Sequence, residues 1–135
     1  MDYRIIADGP VHGGKFSYSC DGEGNLSCKG DVIVSKFFFT KDQPFEVSYK
    51  VDPKLLDPSS LSVGHQIDIG PAHFKCIDVS PANGKASLTL SLDGHPDWTG
   101  MACVSIAQNP VSLATLDVHV NIPVVGNLHL QVVPA

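Results

Sequence analysis

Arginine is almost missing from this chain. Arg4 is the only one, and glutamate is nearly as scarce, with Glu23 and Glu46 set against twelve aspartates. With a net charge of −5, the chain lacks the clustered Arg and Lys on which phosphate binding rests, so a nucleic-acid partner is not expected. A single guanidinium also disfavours bidentate recognition of acidic ligands. No apolar run approaches the roughly 20 residues needed to span a bilayer, and no basic amphipathic stretch suggests a membrane surface. The opening residues MDYRIIADGPVHGG hold no basic start followed by an apolar stretch of leader length. With Met1 at the start, a cytoplasmic protein is expected, its cysteines Cys20, Cys28, Cys76 and Cys103 held as thiols.

Catalytic and cofactor signatures are missing too. The chain contains no G-x-S-x-G elbow, phosphate-binding loop, H-E-x-x-H or dinucleotide fingerprint, so no cofactor is expected. Cysteines with no C-x-x-C spacing do not suggest a zinc cage. A paired-carboxylate mechanism would fall to aspartates, and none stands out from turn duty.

What the chain does have is the material of short strands and tight turns. Asp favours turns where Glu favours helix interiors, and 12 Gly and 10 Pro accompany many Val. Apolar and polar residues alternate with period two in Phe45–Val51, Leu88–Asp93, Leu116–Ile122 and Leu128–Val132. Further strands are expected at Tyr3–Ile6, Lys15–Cys20, Leu26–Val34, Leu61–Ile69, Phe74–Val79 and Met101–Ala107. Turn sequences separate them: Asp21-Gly22-Glu23-Gly24, Pro81-Ala82-Asn83-Gly84 and Asp93-Gly94-His95-Pro96. Only Pro53–Asp57 suits a helical turn, which Pro58 ends. The expectation is an all-β, antiparallel β-sandwich of about 8–10 short strands in one domain over residues 1–135, with a closed β-barrel as the alternative. At this length folding buries about two-thirds of the chain's surface, enough for a core without metal or disulfide.

Several residues are candidates for function. The loop Asp93–Gly100 carries the only tryptophan, Trp98, beside His95 and Asp97. An exposed indole among acids and a histidine suits stacking on a sugar ring; the same loop could fold back to cap one end of the fold. His119 and His129 lie on the polar face of consecutive strands, and a three- or five-residue connection would oppose them directly. They are then close enough to share a metal, although a catalytic zinc needs a third ligand. His65 falls in line with Leu61, Val63, Ile67 and Ile69 as an inward-facing histidine. His73-x-x-Cys76 is set aside, because positions three apart on a strand face opposite ways. Cys20 and Cys28 flank a hairpin turn, where they are either a cross-strand pair or small core residues. Val32–Phe39 is apolar on both faces and must be a central strand or meet a partner.

These observations favour a non-catalytic binding or protein-interaction module, in one version recognising a carbohydrate through the Trp98 loop. The alternatives are a small metal-dependent or Cys–His enzyme and a structural subunit of a homo-oligomeric assembly. Monomer and homo-oligomer both remain open, as does a protein or small-molecule partner.

Overall fold

The computed structural model describes residues 2–7, 11–36, 39–122 and 126–135. It is all-β and antiparallel, with β1 (Asp2–Ala7), β2 (Val11–Cys20), β3 (Asn25–Lys36), β4 (Phe39–Lys50) and β5 (Gln66–Ile69) in the first half. The second half holds β6 (Ala72–Ser80), β7 (Lys85–Leu92), β8 (His95–Ser105), β9 (Ser112–Ile122) and β10 (Gly126–Pro134). Among the described residues there is no α-helix and no helix long and apolar enough to cross a membrane. All ten strands share one sheet, ordered β4-β3-β2-β1-β10-β9-β8-β7-β6-β5, which curls into a half-barrel.

That order is simple once the chain ends are joined. Every strand pairs with its neighbours in sequence, except that β4 and β5 do not pair with each other, and β1 pairs with β10 through Tyr3↔Pro134 to Ala7↔Leu130. The up-and-down ring is open at one seam, between β4 and β5, which are the sheet's edges. Both edges carry features that discourage stray pairing. β5 has four residues, and β4 carries Pro44, Lys41 and Lys50. The apolar Val32–Phe39 stretch falls partly on β3, which is paired on both sides as a strand apolar on both faces requires. Its residues 37 and 38 lie outside the described ones.

The turns follow from their residues. In the β2–β3 turn one oxygen of Asp21 accepts from the Glu23 and Asn25 backbone N–H groups, each at 2.9 Å, and the other from the Asn25 side chain at 2.9 Å. Those bonds, led by the Asn25 side chain, hold the Asp21 carboxyl below its ordinary value. Gly24 closes the turn at φ +88°, and its N–H and C=O bond Asp21 and Val51. A Cβ there would lie 1.8 Å from the Val51 carbonyl oxygen, so only glycine fits.

The seam is bridged by the connection from β4 to β5. As expected for Pro53–Asp57, it makes a short 3-10 turn at Pro53–Leu56, and a second follows at Pro58–Ser60. Asp52 and Asp57 cap these turns by accepting from the N–H of Lys54 and Ser59. The connection acts as a plug: Val51, Leu56 and Leu61 are buried with Ile67, Cys76, Ala86, Leu88 and Ala102 of β5 to β8. Each large aliphatic side chain buried this way contributes about 1.5–3 kcal/mol. The strand expected from Leu61 begins only at Gln66, because Leu61 serves the plug instead. Tyr49 of β4 packs on Gly70, at φ +56°, in the β5–β6 turn, which draws the two edges together at one end.

A second cluster of Val118, Val120 and Leu128 lies under β9 and β10. Over β2 to β4 the inward-facing positions carry Phe16, Tyr18, Leu26, Cys28, Phe45, Val47 and Tyr49, and none of these is buried. The core is therefore lopsided, dense over the β5 to β10 side and thin over the β2 to β4 side.

Candidate functional site

On the outer face, β9 and β10 pair from Gly126↔Ile122 to Val132↔Leu116, which opposes His119 directly to His129. Alternation buries Val118, Val120 and Leu128 and turns the two imidazoles outward. The rings stack, with centroids 4.2 Å apart and planes 7° from parallel. Asp117 lies on the same face, its Oδ1 3.0 Å from His129 Nε2. A shallow depression of about 620 Å³ opens here, lined by Thr99, Met101, Asp117, His119, His129 and Gln131. Among the described residues no group of three or more His, Cys, Asp or Glu side chains is assembled as a metal cage.

The Trp98 region is part of a hairpin. Asp93-Gly94 makes the turn, Leu92 pairs with His95, and β8 begins at His95 rather than beyond Gly100. Trp98 pairs with Val120 and packs, half-buried, against the Val118–Val120–Leu128 cluster. The ring of His95 lies 5.3 Å from that of Trp98 at 46°, and His95 and Asp97 are exposed.

One cluster has no counterpart in the sequence reading. His73 of β6 sits between two carboxylates, with Nδ1 2.7 Å from Asp68 Oδ1 of β5 and Nε2 2.8 Å from Asp93 Oδ1 of the β7–β8 turn. The hydrogen bond to Asp68, then that to Asp93, raises the His73 pKa above its ordinary 6.5. Residues 5 and 20 apart in sequence meet only because β5, β6 and β7 are neighbours. The Asp68↔His73 register was the one signal that could have revealed the first pair.

His65 precedes β5, and its Nε2 lies 3.2 Å from the Leu55 carbonyl. A carbonyl only accepts, so Nε2 carries the proton and the ring ties β5 to the plug. The four cysteines are free. Cys20 pairs with Leu26 and Cys28 with Tyr18, so these two sit on a diagonal rather than opposite each other. Burial, the leading cause in each, pushes the thiols of Cys20, Cys28 and Cys76 above their ordinary value. Such thiols are poor nucleophiles, because the thiolate is the reactive form.

The inner face over β1 to β4 offers a different surface. Phe16, Gly30 and Phe45 pair in a row across β2, β3 and β4. Gly30 has no side chain, and a Cβ there would lie 2.5 Å from the Phe16 Cβ, so Phe16 leans over the glycine. An open depression of about 750 Å³ is lined by this row together with Lys15, Ser17, Lys29, Asp31 and Glu46, whose positions alternate to the other face of the sheet. Val47, two residues beyond Phe45 on the same face, is 39% exposed. On the opposite face of the same strands Lys15 is opposed to Asp31 and Lys29 to Glu46, so cross-strand charges there meet in pairs of opposite sign.

Comparison with known proteins finds no matching family model, no matching curated protein and no matching solved structure.

Proposed function

We propose that this chain is a non-catalytic protein-interaction module whose partner seats apolar side chains on the concave face over β2 to β4. The observation that carries the reading is the lopsided core: Phe16, Leu26, Cys28, Phe45, Val47 and Tyr49 face inward over this half, yet none is buried. A contiguous apolar face left half-buried in this way is a surface feature that suits a protein contact. With the partner in place, the concave face would gain the second layer that a sandwich has, while a closed barrel would need a strand in the β4–β5 seam.

A non-catalytic reading is also supported by the chemistry of the described residues. Burial raises the pKa of three of the four thiols, which disfavours the reactive thiolate. The carbohydrate version, through His95, Asp97 and Trp98, has less support, because the indole is packed against its own cluster.

The test is a photo-activatable cross-linking residue at Val47, on the concave face, and at Ser48, on the opposite one, in the cells that make the protein. A distinct polypeptide captured at Val47 and not at Ser48 is expected. Capture of a second copy at Val47 would instead favour a homo-oligomeric subunit, and equal yields at both positions would remove the interaction reading.

A further inference from the structure

We propose that the His119–His129 pair, with Asp117 and Met101 beside it, is a surface site for copper ions. Two imidazoles opposed across an antiparallel pair are the minimal chelate a sheet can offer, because their Cβ atoms are about 5 Å apart. Here the rings are already face to face at 4.2 Å. Metal–imidazole bonds are about 2.0–2.1 Å, so two adjacent nitrogens on one ion sit about 3 Å apart. Opening the stack at the ring edges achieves this; His119 is exposed, whereas His129 is half-buried and would exchange its contact with Asp117.

The neighbouring groups select the ion. Asp117 places a carboxylate oxygen 3.0 Å from His129 Nε2, so it can leave that hydrogen bond and take a position on an ion held by the ring. Met101 is opposed to Asp117, lines the same depression and is 44% exposed. It stands on an outer face whose neighbouring positions are Thr89, Thr99 and Gln131, so its exposure is unexplained by packing. Imidazole serves copper in both oxidation states, carboxylate oxygen suits Cu(II) in a tetragonal site, and a thioether suits Cu(I). Divalent affinities also peak at copper along the first row.

The experiment titrates Cu(II) into the full chain, followed by calorimetry and electron paramagnetic resonance. Cu(I) is measured without oxygen by competition against a chromophoric chelator. One Cu(II) per chain with the hyperfine signature of two imidazole nitrogens is expected. His119→Asn and His129→Asn should each weaken it about ten-fold or more, with circular dichroism confirming an intact fold. His95→Asn, on the neighbouring strand, should leave it unchanged. Met101→Leu should weaken Cu(I) and spare Cu(II). Cu(II) affinity that survives both His119→Asn and His129→Asn, or falls equally in His95→Asn, would overturn the site. Unchanged Cu(I) affinity in Met101→Leu would overturn the place of the thioether in it.

Discussion

Tyr3 and Tyr18 tie β1 and β2 to the start of β9 across the concave face, and removing either hydroxyl should cost far more than its size suggests. Pairing of β9 with β10 stops at Leu116, so Leu113 has no β10 neighbour at the start of β9. Its N–H donates instead to the Tyr18 hydroxyl at 2.9 Å, and its carbonyl accepts from the Tyr3 hydroxyl. The two phenols also hydrogen-bond each other. The result is a closed circuit in which Leu113 N–H, Tyr18, Tyr3 and the Leu113 carbonyl each satisfy the next. Tyr3 is 0% exposed and stacked between Phe16 at 5.1 Å and Tyr18 at 5.5 Å. Burial, followed by the Tyr18 bond, pushes its phenol far above the ordinary value, as expected for a hydroxyl that stays protonated at any workable pH.

Replacing Tyr18 by Phe keeps the ring stack but breaks two bonds of the circuit and orphans the Leu113 N–H. At about 1 kcal/mol per net bond, plus part of the penalty for an unpaired buried donor, the loss should be about 2 kcal/mol. Tyr3→Phe breaks two bonds as well but orphans a carbonyl, which tolerates it better, so about 1.5 kcal/mol is expected. With an unfolding entropy of about 2.1 cal/mol/K per residue, 2 kcal/mol lowers Tm by roughly 7 °C in a chain of 135 residues. The bonds are shared, so the double variant should lose less than the sum of the singles. Urea and thermal unfolding of the four proteins measures this. Single variants within about 1 °C of the parent, or strictly additive losses, would refute the circuit.

The remaining predictions concern charge and backbone. His73 has a raised folded pKa, so its clamp stabilises fully below the unfolded value of 6.5 and loses that contribution as pH rises through the folded one. The Tm gap between the parent and His73→Gln should therefore be widest in mild acid and shrink in the alkaline range; a gap independent of pH would exclude the clamp. Asp68→Asn should lower the His73 pKa in an NMR titration, and Asp93→Asn should lower it less. Gly24→Ala drives a Cβ into the Val51 carbonyl at a φ of +88°, so a loss of more than about 2 kcal/mol is expected by urea unfolding.

The strands were legible because a half-buried strand writes its period directly into the sequence. Leu116–Ile122 and Leu128–Val132 fall in observed strands, and Phe45–Val51 and Leu88–Asp93 each overrun theirs by one residue, at Val51 and Asp93. The opposition of His119 and His129 was legible for the same reason, since two strands and a short connection leave few registers. The continuity of all ten strands in one sheet was not, because alternation tells which face a residue takes and not which strand lies beside it. The β1–β10 pair that joins the chain ends depends on residues more than a hundred positions apart. The start of β8 was hidden as well: His95, Pro96 and Asp97 are polar or strand-breaking, and they read as a loop although a two-residue turn suffices. The His73 cluster stayed invisible because it needs three strands in order and a turn folded over them.

The division of the sheet into a filled side and an open side has a further consequence for how the molecule can vary. Val51, Leu56 and Leu61 come from the seam connection, yet they bury themselves among β5 to β8 rather than beneath β4. The seam segment thus spends its apolar groups on the far half and leaves β2 to β4 held chiefly by ladder bonds, the Tyr3–Tyr18 circuit and the Tyr49–Gly70 contact. A polar substitution at Val47, which is 39% exposed, removes less buried area than the same change at Leu88, which is 1% exposed and excavates the core. Stability and the proposed contact surface therefore reside in different residues. A loss of partner capture in Val47→Asp with Tm nearly unchanged can then be read as a binding effect, a separation that a uniformly filled barrel would not permit.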